Sequence, residues 1–183
     1  VVQHTEVGVD AHEVEALLDL GSGQRLLAGA EQIREPLDAI SWACTSGSFV
    51  FGWDGAHDQV AALSRATGLP ASSTSLAFVR ACRALSLTQV TLAASYPQDV
   101  AGHFRAFLAA AGIEVVSMSA HDIHTAAQVG TLGRDDVAQI VAGAGAEGHG
   151  GQAILVPDTA MHTLAHLEHL EQVAGLPVLT ANQ

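Results

Sequence analysis

Apolar residues follow two alternating patterns along the chain. Short continuous runs have the length of strands, and the longer segments between them repeat their apolar positions every three to four residues, as on one helical face. This alternation is typical of a parallel sheet wrapped by helices, and it predicts the α/β class. The strand candidates are residues 2–9, 39–43, 89–95, 113–119, 152–156 and 177–180. The helical candidates are residues 11–34, in two pieces split by Gly21 and Gly23, and then 56–67, 74–86, 98–111, 134–144 and 159–174.

One strand and the turn after it occur twice. "AISWACTSGS" (39–48) and "AILVPDTAMH" (153–162) each lead from Ala-Ile to a reactive side chain and a threonine, and each is followed by a helical segment and Gly-Leu-Pro. The repetition predicts two pseudo-symmetric halves, each a parallel sheet flanked by helices. We assign residues 1–70 to the first half and 71–183 to the second. The segment 175–183 either stays with the second half or returns to the first.

The repeated turns also predict where a ligand binds. In open α/β sheets, ligands bind beyond the carboxyl ends of the strands, where both turns fall. Two equivalent turns facing one cleft between the halves would place Cys44 and Asp158 on opposite sides of a small ligand.

Composition and charge exclude several functional classes. The 183 residues carry a formal charge of −12, from 19 acidic residues and 7 arginines with no lysine. No basic patch is available for nucleic acid, and neither a Schiff-base lysine nor a Walker lysine exists. No apolar run is long enough to span a membrane, and the opening residues lack a signal peptide, so we expect a cytoplasmic protein without a membrane partner.

The two cysteines have contrasting surroundings in the sequence. Cys82 falls on an apolar helical face with Phe78 and Leu85, which favours a core position. Cys44 could also be a packed thiol, since free cysteines are often buried. The "CTSGS" turn favours chemistry instead, because hydroxyls, successive backbone N–H groups and a helix start can bind an anion and stabilise a thiolate.

Two further side chains stand at carboxyl ends of predicted strands. Asp158 precedes a predicted helix, where aspartate is a favoured N-cap, and this role is compatible with proton transfer. Tyr96, the only tyrosine, lies beside Pro97 at a helix start, where packing and ligand hydrogen bonding remain alternatives.

Other candidate motifs point to no site. Histidines 162, 166 and 169 share a helical flank away from the apolar stripe, so we expect a solvated face and no metal site. "HDIH" (121–124) is interpreted as a loop. "GAGAEG" (143–148) fits the letters of a dinucleotide fingerprint but follows a helix and precedes a strand, the reverse of the required order, so it too is interpreted as a loop.

Motifs over nearly the whole chain resemble the aspartate/glutamate racemase superfamily, and most closely its maleate cis-trans isomerase and arylmalonate decarboxylase branch. They are "ACTSGS" (43–48), "GLPASSTSLAFVRACRAL" (68–85), "SYPQDVAGHFRAFLAAAGIEVV" (95–116) and "AILVPDTAMHTLAHLEHLEQVAGLPVLTANQ" (153–183). The resemblance implies a cofactor-independent enzyme that acts on a small dicarboxylate, with a homodimer left open.

The resemblance also implies roles for individual residues. Cys44 matches the family's first cysteine, the nucleophile or base. Thr45 and Ser46 match residues that hold a substrate carboxylate, and Tyr96 matches the tyrosine that hydrogen-bonds the same group. Asp158 stands where the family usually has its second cysteine, and Thr159 follows it as in the usual Cys-Thr pair.

Several positions depart from the family pattern. A carboxylate in place of the second thiol argues against a symmetric two-thiol mechanism and against arylmalonate decarboxylase proper, which retains the second cysteine. Ala126 occupies the place of an expected asparagine. The resemblance further implies an opening strand with a Pro-x-x-Asn loop and a final helix that these 183 residues do not include.

The leading hypothesis is an isomerase of small dicarboxylates, with a Cys44 thiolate that adds to a double bond or removes an α-proton and Asp158 handling the second proton. The alternatives are a decarboxylase or racemase of malonate-like or amino-acid-like substrates, and a non-catalytic protein that binds small acids.

Overall fold

Parallel strands flanked by helices form the structure, as the alternating pattern predicts. The computed structural model describes residues 1–147 and 150–183. The strands are β1 Ile40–Trp42, β2 Ala71–Ser73, β3 Gln89–Ala94, β4 Glu114–Ala120, β5 Ile154–Val156 and β6 Val178–Thr180. The helices are α1 Val14–Leu20, α2 Gly23–Ala30, α3 Ser46–Phe49, α4 Gly52–Thr67, α5 Thr74–Ala84, α6 Gln98–Ala110, α7 Ala126–Val129, α8 Arg134–Glu147 and α9 Leu167–Ala174, and a 3-10 turn, Leu164–His166, precedes α9. None of the helices described is long and apolar enough to cross a lipid bilayer.

The strands lie in two sheets. β1 pairs with β2, and a second sheet has the order β4-β3-β5-β6, with every pairing parallel. Strand β5 separates two cores because successive side chains of a strand point to opposite faces. Leu155 packs with Tyr96 and Phe104 on one face, whereas Ile154 and Val156 pack with the α8 side of the sheet. Such strands must be apolar on both faces, which explains their continuous apolar runs.

The Gly-Leu-Pro repeat forms the same local structure twice. Gly68 and Gly175 end α4 and α9 in the left-handed conformation, with φ of 71° and 65°, where glycine is the favoured residue. The proline carbonyl then accepts the first bond of the new parallel pair: Ile40 N–H donates to Pro70 and Ile154 N–H donates to Pro177, both at 2.9 Å. The repeated sequence therefore encodes a helix stop and the register of the next strand.

The prediction of a strand at residues 2–9 is wrong. The segment has no regular secondary structure, and Val1, Val2, Val7 and Val9 are exposed. An alternating pattern forms a strand only where a neighbouring strand accepts its backbone hydrogen bonds. This segment pairs with neither sheet.

The prediction of a helix from residue 159 is also wrong, and with it the N-cap role of Asp158. Residues 159–161 form a turn and a bend, in which Ala160 N–H donates to the Asp158 carboxylate and Met161 N–H to the Asp158 carbonyl. These local bonds compete with helical ones, so the 3-10 turn begins only at Leu164.

The predicted loop at 143–148 proves to be mainly helical. Residues 143–147 continue α8, and Gly148 lies outside the described residues. Gly145 explains why glycine is present there, since a Cβ on it would lie 2.9 Å from the Ala174 carbonyl oxygen of α9. The missing side chain lets the two helices approach closely.

The sheets divide the chain close to residue 70. β2 follows that residue but pairs with β1, so strand pairing of the first sheet continues to Ser73. The segment 175–183 does not return to that sheet, because β6 pairs with β5. The division into halves at 70 and 71 itself stays a prediction.

Candidate active site

The turns after β1 and β5 line one cavity of about 620 Å³. Its wall includes Cys44 from the first turn and Thr159 and Ala160 from the second, and the amino-terminal residues lie across it. The fold thus brings together the two turns that the sequence repeats. The carboxyl ends of parallel strands supply both, as expected for an α/β ligand site.

Cys44 occupies the turn between β1 and α3. Its sulfur accepts a hydrogen bond from Gly47 N–H at 3.4 Å and lies 3.8 Å from Ser46 Oγ. A Cβ on residue 47 would stand only 3.3 Å from that sulfur, so glycine lets the backbone donor come close. Donors directed at sulfur stabilise the thiolate, which is the reactive form.

Burial of the Cys44 thiol outweighs these donors and raises its pKa above the usual value near 9. The Gly47 and Ser46 hydrogen bonds lower the pKa, and the negative charge of Asp158 raises it further. At neutral pH the resting group is therefore a thiol. The charge of Asp158 acts on the Cys44 thiol, so the two predicted catalytic side chains interact electrostatically.

Polar groups without partners surround the thiol. Thr45 is fully buried, and its hydroxyl has no hydrogen-bond partner among the described residues. The buried Trp42 indole N–H also has no hydrogen-bond partner among the described residues. Its ring lies beside Gly47, next to the Cys44 sulfur. Buried polar groups are normally satisfied, so such orphans are suited to a polar ligand or water.

Tyr96 lies at the end of β3, buried beside both turns. Its hydroxyl donates to the Pro157 carbonyl at 3.2 Å, and its ring packs edge to face on His12 and Phe49. Burial, followed by the charges of Asp158 and Cys44, raises the pKa of the phenol well above its usual value, and a Ser46 hydrogen bond lowers it. The phenol therefore remains a neutral donor.

Asp158 is only 3% exposed and accepts several hydrogen bonds. Ser95 donates to Oδ2 at 2.5 Å, and Ala160 N–H donates to Oδ1 at 2.9 Å. The next residue, Thr159, is half-buried, and its carbonyl accepts from the Asn182 side chain at 2.9 Å. Asn182 also accepts from Thr163, so it holds the second turn in place.

His12 also belongs to the site, although no sequence pattern indicates it. It is 5% exposed, and its Nε2 lies 3.9 Å from Asp158 Oδ2. Its Nδ1 lies 2.7 Å from the Ile123 carbonyl oxygen. No local pattern joins residues 12, 123 and 158, because tertiary packing alone brings them together. Ser95 could have been found, since it directly precedes Tyr96 at the carboxyl end of β3.

Of the predicted site residues, Cys44 and Thr159 line the cavity, whereas Thr45, Ser46, Tyr96 and Asp158 are buried and are not among the described residues that line it. The other candidates from the sequence have different surroundings. Cys82 is fully buried in the core, as predicted, with its pKa raised to about 11 by burial. Residues 121–124 have no regular secondary structure, in agreement with the loop interpretation. His162 is exposed and precedes the 3-10 turn, while His166 and His169 are half-buried. In residues 1–147 and 150–183, no three His, Cys, Asp or Glu side chains group as metal ligands do.

A thiol, a buried carboxyl group and neutral donors converge on the two turns. A thiol can act as nucleophile or base. Hydroxyl and N–H groups can stabilise the negative charge that develops on a substrate carboxylate without any metal or cofactor.

The profile of the arylmalonate decarboxylase family matches residues 23–183. A double mutant of arylmalonate decarboxylase in its liganded form is similar in fold, with a TM-score of 0.86 at 23% identity over 96% of this chain and 74% of that one. Maleate isomerase from Pseudomonas putida S16 gives 0.80 at 19% identity, over 94% and 71%. No curated protein sequence matches the chain.

A cysteine-to-serine mutant of maleate cis-trans isomerase from Nocardia farcinica, which carries a covalently bound succinylcysteine intermediate, is also similar. Its TM-score is 0.80 at 23% identity, over 94% of this chain and 72% of that one. The resemblance drawn from the sequence motifs is thereby confirmed at the level of family and fold.

Proposed function

The chain belongs to the arylmalonate decarboxylase family, and on that premise we propose that it is a cofactor-independent isomerase of a small dicarboxylate that uses the Cys44 thiolate. The observation that carries the proposal is the position of Cys44, with the Gly47 N–H and the Ser46 hydroxyl at its sulfur, on a cavity that the second turn also lines. Decarboxylases and isomerases are both similar to this chain.

Thiolate addition to a double bond is the proposed first step. The sulfur of Cys44 bonds to one alkene carbon, and the π electrons move toward the neighbouring carboxylate as an enediolate. Protonation of the other carbon gives a succinyl thioether with a rotatable single bond. Loss of the proton and of the thiolate then yields the trans isomer. The Nocardia farcinica enzyme, with its succinylcysteine intermediate, supports this choice for a related fold.

Neutral donors hold the substrate carboxylate in this proposal. Thr45 and Ser46 supply hydroxyl groups, and Thr159 adds one from the second turn. The Tyr96 hydroxyl, which donates to the Pro157 carbonyl in the structure, would turn to the substrate carboxylate. The orphaned Thr45 hydroxyl supports this role, because a carboxylate oxygen would satisfy it. The described residues that line the cavity include no arginine, so hydrogen bonds would carry the stabilisation.

Asp158 would handle the proton on the face opposite Cys44. A carboxyl group is a harder and less nucleophilic group than the thiol that the resemblance leads us to expect there, so the two sides of the site would have different tasks. Cys44 would form the covalent bond, and Asp158 would give and retrieve the proton.

Decarboxylation of a malonate-like acid is the second candidate, favoured by the matching family profile. The cavity wall also includes Ile40, Trp42 and Leu63, which would accept an apolar substituent. In this reaction CO2 leaves, and the resulting enediolate takes a proton at carbon.

The test is turnover of maleate and of an arylmalonate, followed by NMR, with mass spectrometry for a covalent adduct. We expect conversion of maleate to fumarate and an added mass on the Cys44 peptide. The Cys44→Ala variant should lose at least about 1,000-fold in kcat.

The matched control is Cys82→Ala, which removes a thiol from the core and should keep the turnover. Unchanged turnover in Cys44→Ala would refute the nucleophile. Conversion of the arylmalonate alone would favour the second candidate, and binding of dicarboxylates without any turnover would favour a non-catalytic protein.

A further inference from the structure

The buried carboxyl group of Asp158 needs a partner for its charge. Taking an unpaired carboxylate out of water is costly, and paired burial is the usual solution. The ion pair recorded for Asp158 in the described part of the chain is with His12, whose side chain is about as buried as that of Asp158. The two hydrogen bonds from Ser95 and Ala160 stabilise the charge but carry none themselves.

The Ile123 carbonyl determines which nitrogen of the His12 ring carries a proton. A carbonyl oxygen can only accept, so the 2.7 Å contact requires a proton on Nδ1. Nε2 is then the atom free to bind or release a proton, and it faces Asp158 Oδ2 at 3.9 Å. Two lone pairs facing each other would repel, and one proton held by either group removes this repulsion.

Four hydrogen bonds hold His12 at this place. The Asp10 carboxylate accepts from the N–H groups of Ala126 and Ala127 at 2.9 and 3.0 Å. The His12 main chain donates to the His124 carbonyl at 2.7 Å, and the Nδ1 bond to Ile123 completes the set. The ring also packs edge to face on Tyr96, with centroids 4.9 Å apart. The imidazole is therefore oriented in advance.

We propose that His12 is a positioning residue that holds one proton jointly with Asp158, and that this pair is the proton reservoir opposite Cys44. The proposal deepens the proposed function and rests on it. His12 acts through Asp158 and does not contact the substrate.

The proton count closes over one turnover. At rest, His12 Nε2 and Asp158 Oδ2 share one proton, and the Cys44 thiol carries its own. The thiol gives its proton to a carboxylate of the bound substrate, and the thiolate then bonds to the alkene carbon. The shared proton moves through Oδ2 to the other carbon, which leaves a carboxylate and a neutral imidazole, with Nδ1–H still bonded to Ile123. When the thiolate leaves, the proton on carbon returns to Oδ2, the product carboxylate gives its proton back to Cys44, and both groups are restored.

The titratable groups around the ring belong to the same site. They are Asp158 at 3.9 Å and the Tyr96 phenol, which remains neutral. His124, on the loop that binds the His12 main chain, has an exposed side chain paired with Asp122 at 3.6 Å. It therefore provides a histidine from the same loop that lies outside the site.

His12→Asn is the informative variant, because an amide N–H can still donate to the Ile123 carbonyl but cannot carry a mobile proton. We expect kcat for the dicarboxylate to fall at least 100-fold while KM changes less than threefold. His124→Asn is the matched control and should retain wild-type rates. A His12→Asn enzyme with wild-type kcat would overturn the proposal.

A double-mutant cycle with Asp158→Asn distinguishes a shared proton from two separate roles. When two residues act as a unit, replacing the second causes no further loss of activity, so the double variant should be no slower than Asp158→Asn alone. A loss in the double variant equal to the product of the two single losses would overturn the pair.

A measurement without substrate separates this proposal from the reaction itself. In 15N-histidine NMR, the His12 signals are those missing from His12→Asn. We expect a proton on Nδ1, and an Nε2 signal that shifts in Asp158→Asn. A proton on Nε2 with a bare Nδ1, or an unchanged Nε2 signal, would refute the pair even if turnover is observed. If no dicarboxylate is turned over, the proposed function fails and the NMR result still decides the pair.

Discussion

Cys44 and Asp158 are coupled through charge, although the sequence separates them by more than a hundred residues. The carboxylate raises the pKa of the thiol, in addition to the larger effect of burial. A thiol that is protonated at rest avoids placing a second anion beside Asp158 and an incoming dicarboxylate. The thiol would therefore give up its proton only once a substrate carboxylate is bound to accept it.

This coupling predicts the direction of a change in reactivity. Replacing Asp158 by Asn removes a charge that raises the pKa of Cys44, so a larger fraction is thiolate at a given pH. Alkylation of Cys44 by iodoacetamide at pH 8 should then be faster in Asp158→Asn than in the wild type. Peptide mass spectrometry would measure the rate.

In the wild type, the alkylation rate should rise with pH and reach half its maximum above pH 9, since the pKa of Cys44 is raised. Cys82 is the internal reference because it is fully buried and should not react in the folded protein. Slower alkylation in Asp158→Asn would contradict the coupling.

At the scale of elements, close backbone contact fixes the first turn. Gln59 of α4 donates to the carbonyls of Gly21 and Gly47 at 2.7 and 2.8 Å, which ties the α1–α2 junction to α3. The two backbones are so near that a Cβ on Gly21 would stand 1.9 Å from the Gly47 carbonyl oxygen. Helix α3, and with it the donor to the Cys44 sulfur, is held by this contact.

Gly21→Ala should therefore destabilise the protein and disturb the site. We expect a loss of about 3 kcal/mol in the free energy of unfolding, at the upper end of typical overpacking costs, measured by urea denaturation. Gly23→Ala is the matched control, because the added methyl group would meet no atom within 4 Å apart from its chain neighbours and its own helix backbone, and it should leave stability unchanged or raise it by up to about 1 kcal/mol. Equal stability of the two variants would contradict the close approach.

Residue type determines which parts of the fold the sequence predicts. Apolar runs identify β3 and β4, and even the three-residue strands β1, β5 and β6, whereas β2 (Ala-Ser-Ser) and α3 (Ser-Gly-Ser-Phe) are mostly small and polar and show no apolar pattern. The repeat led to Cys44 and Asp158, because strand ends converge in any parallel sheet. It could not lead to His12, whose position depends on hydrogen bonds to residues 123–127.

The whole molecule carries a strong negative field. With a formal charge of −12 and no lysine, the protein repels a dicarboxylate at long range. Binding must then depend on short-range donors at the two turns. The neutral donors proposed for the site are consistent with this balance.

The field predicts an unusual salt dependence for an enzyme that acts on an anion. Raising the ionic strength from about 0.01 to 0.15 M shortens the screening length from about 30 to about 8 Å, so kcat/KM for a dianionic substrate should rise about threefold or more. Steady-state rates at several NaCl concentrations would measure it, with kcat itself expected to stay constant. A fall in kcat/KM would indicate a positive local potential that the charges described do not provide.

Tyr96 is the only tyrosine in the chain and lies buried against His12 and Phe49. Isotope labelling of tyrosine would therefore give a single set of aromatic resonances, and all of them would come from the centre of the site. The protein carries its own spectroscopic reporter, which can follow ligand entry and changes at His12 without any introduced probe.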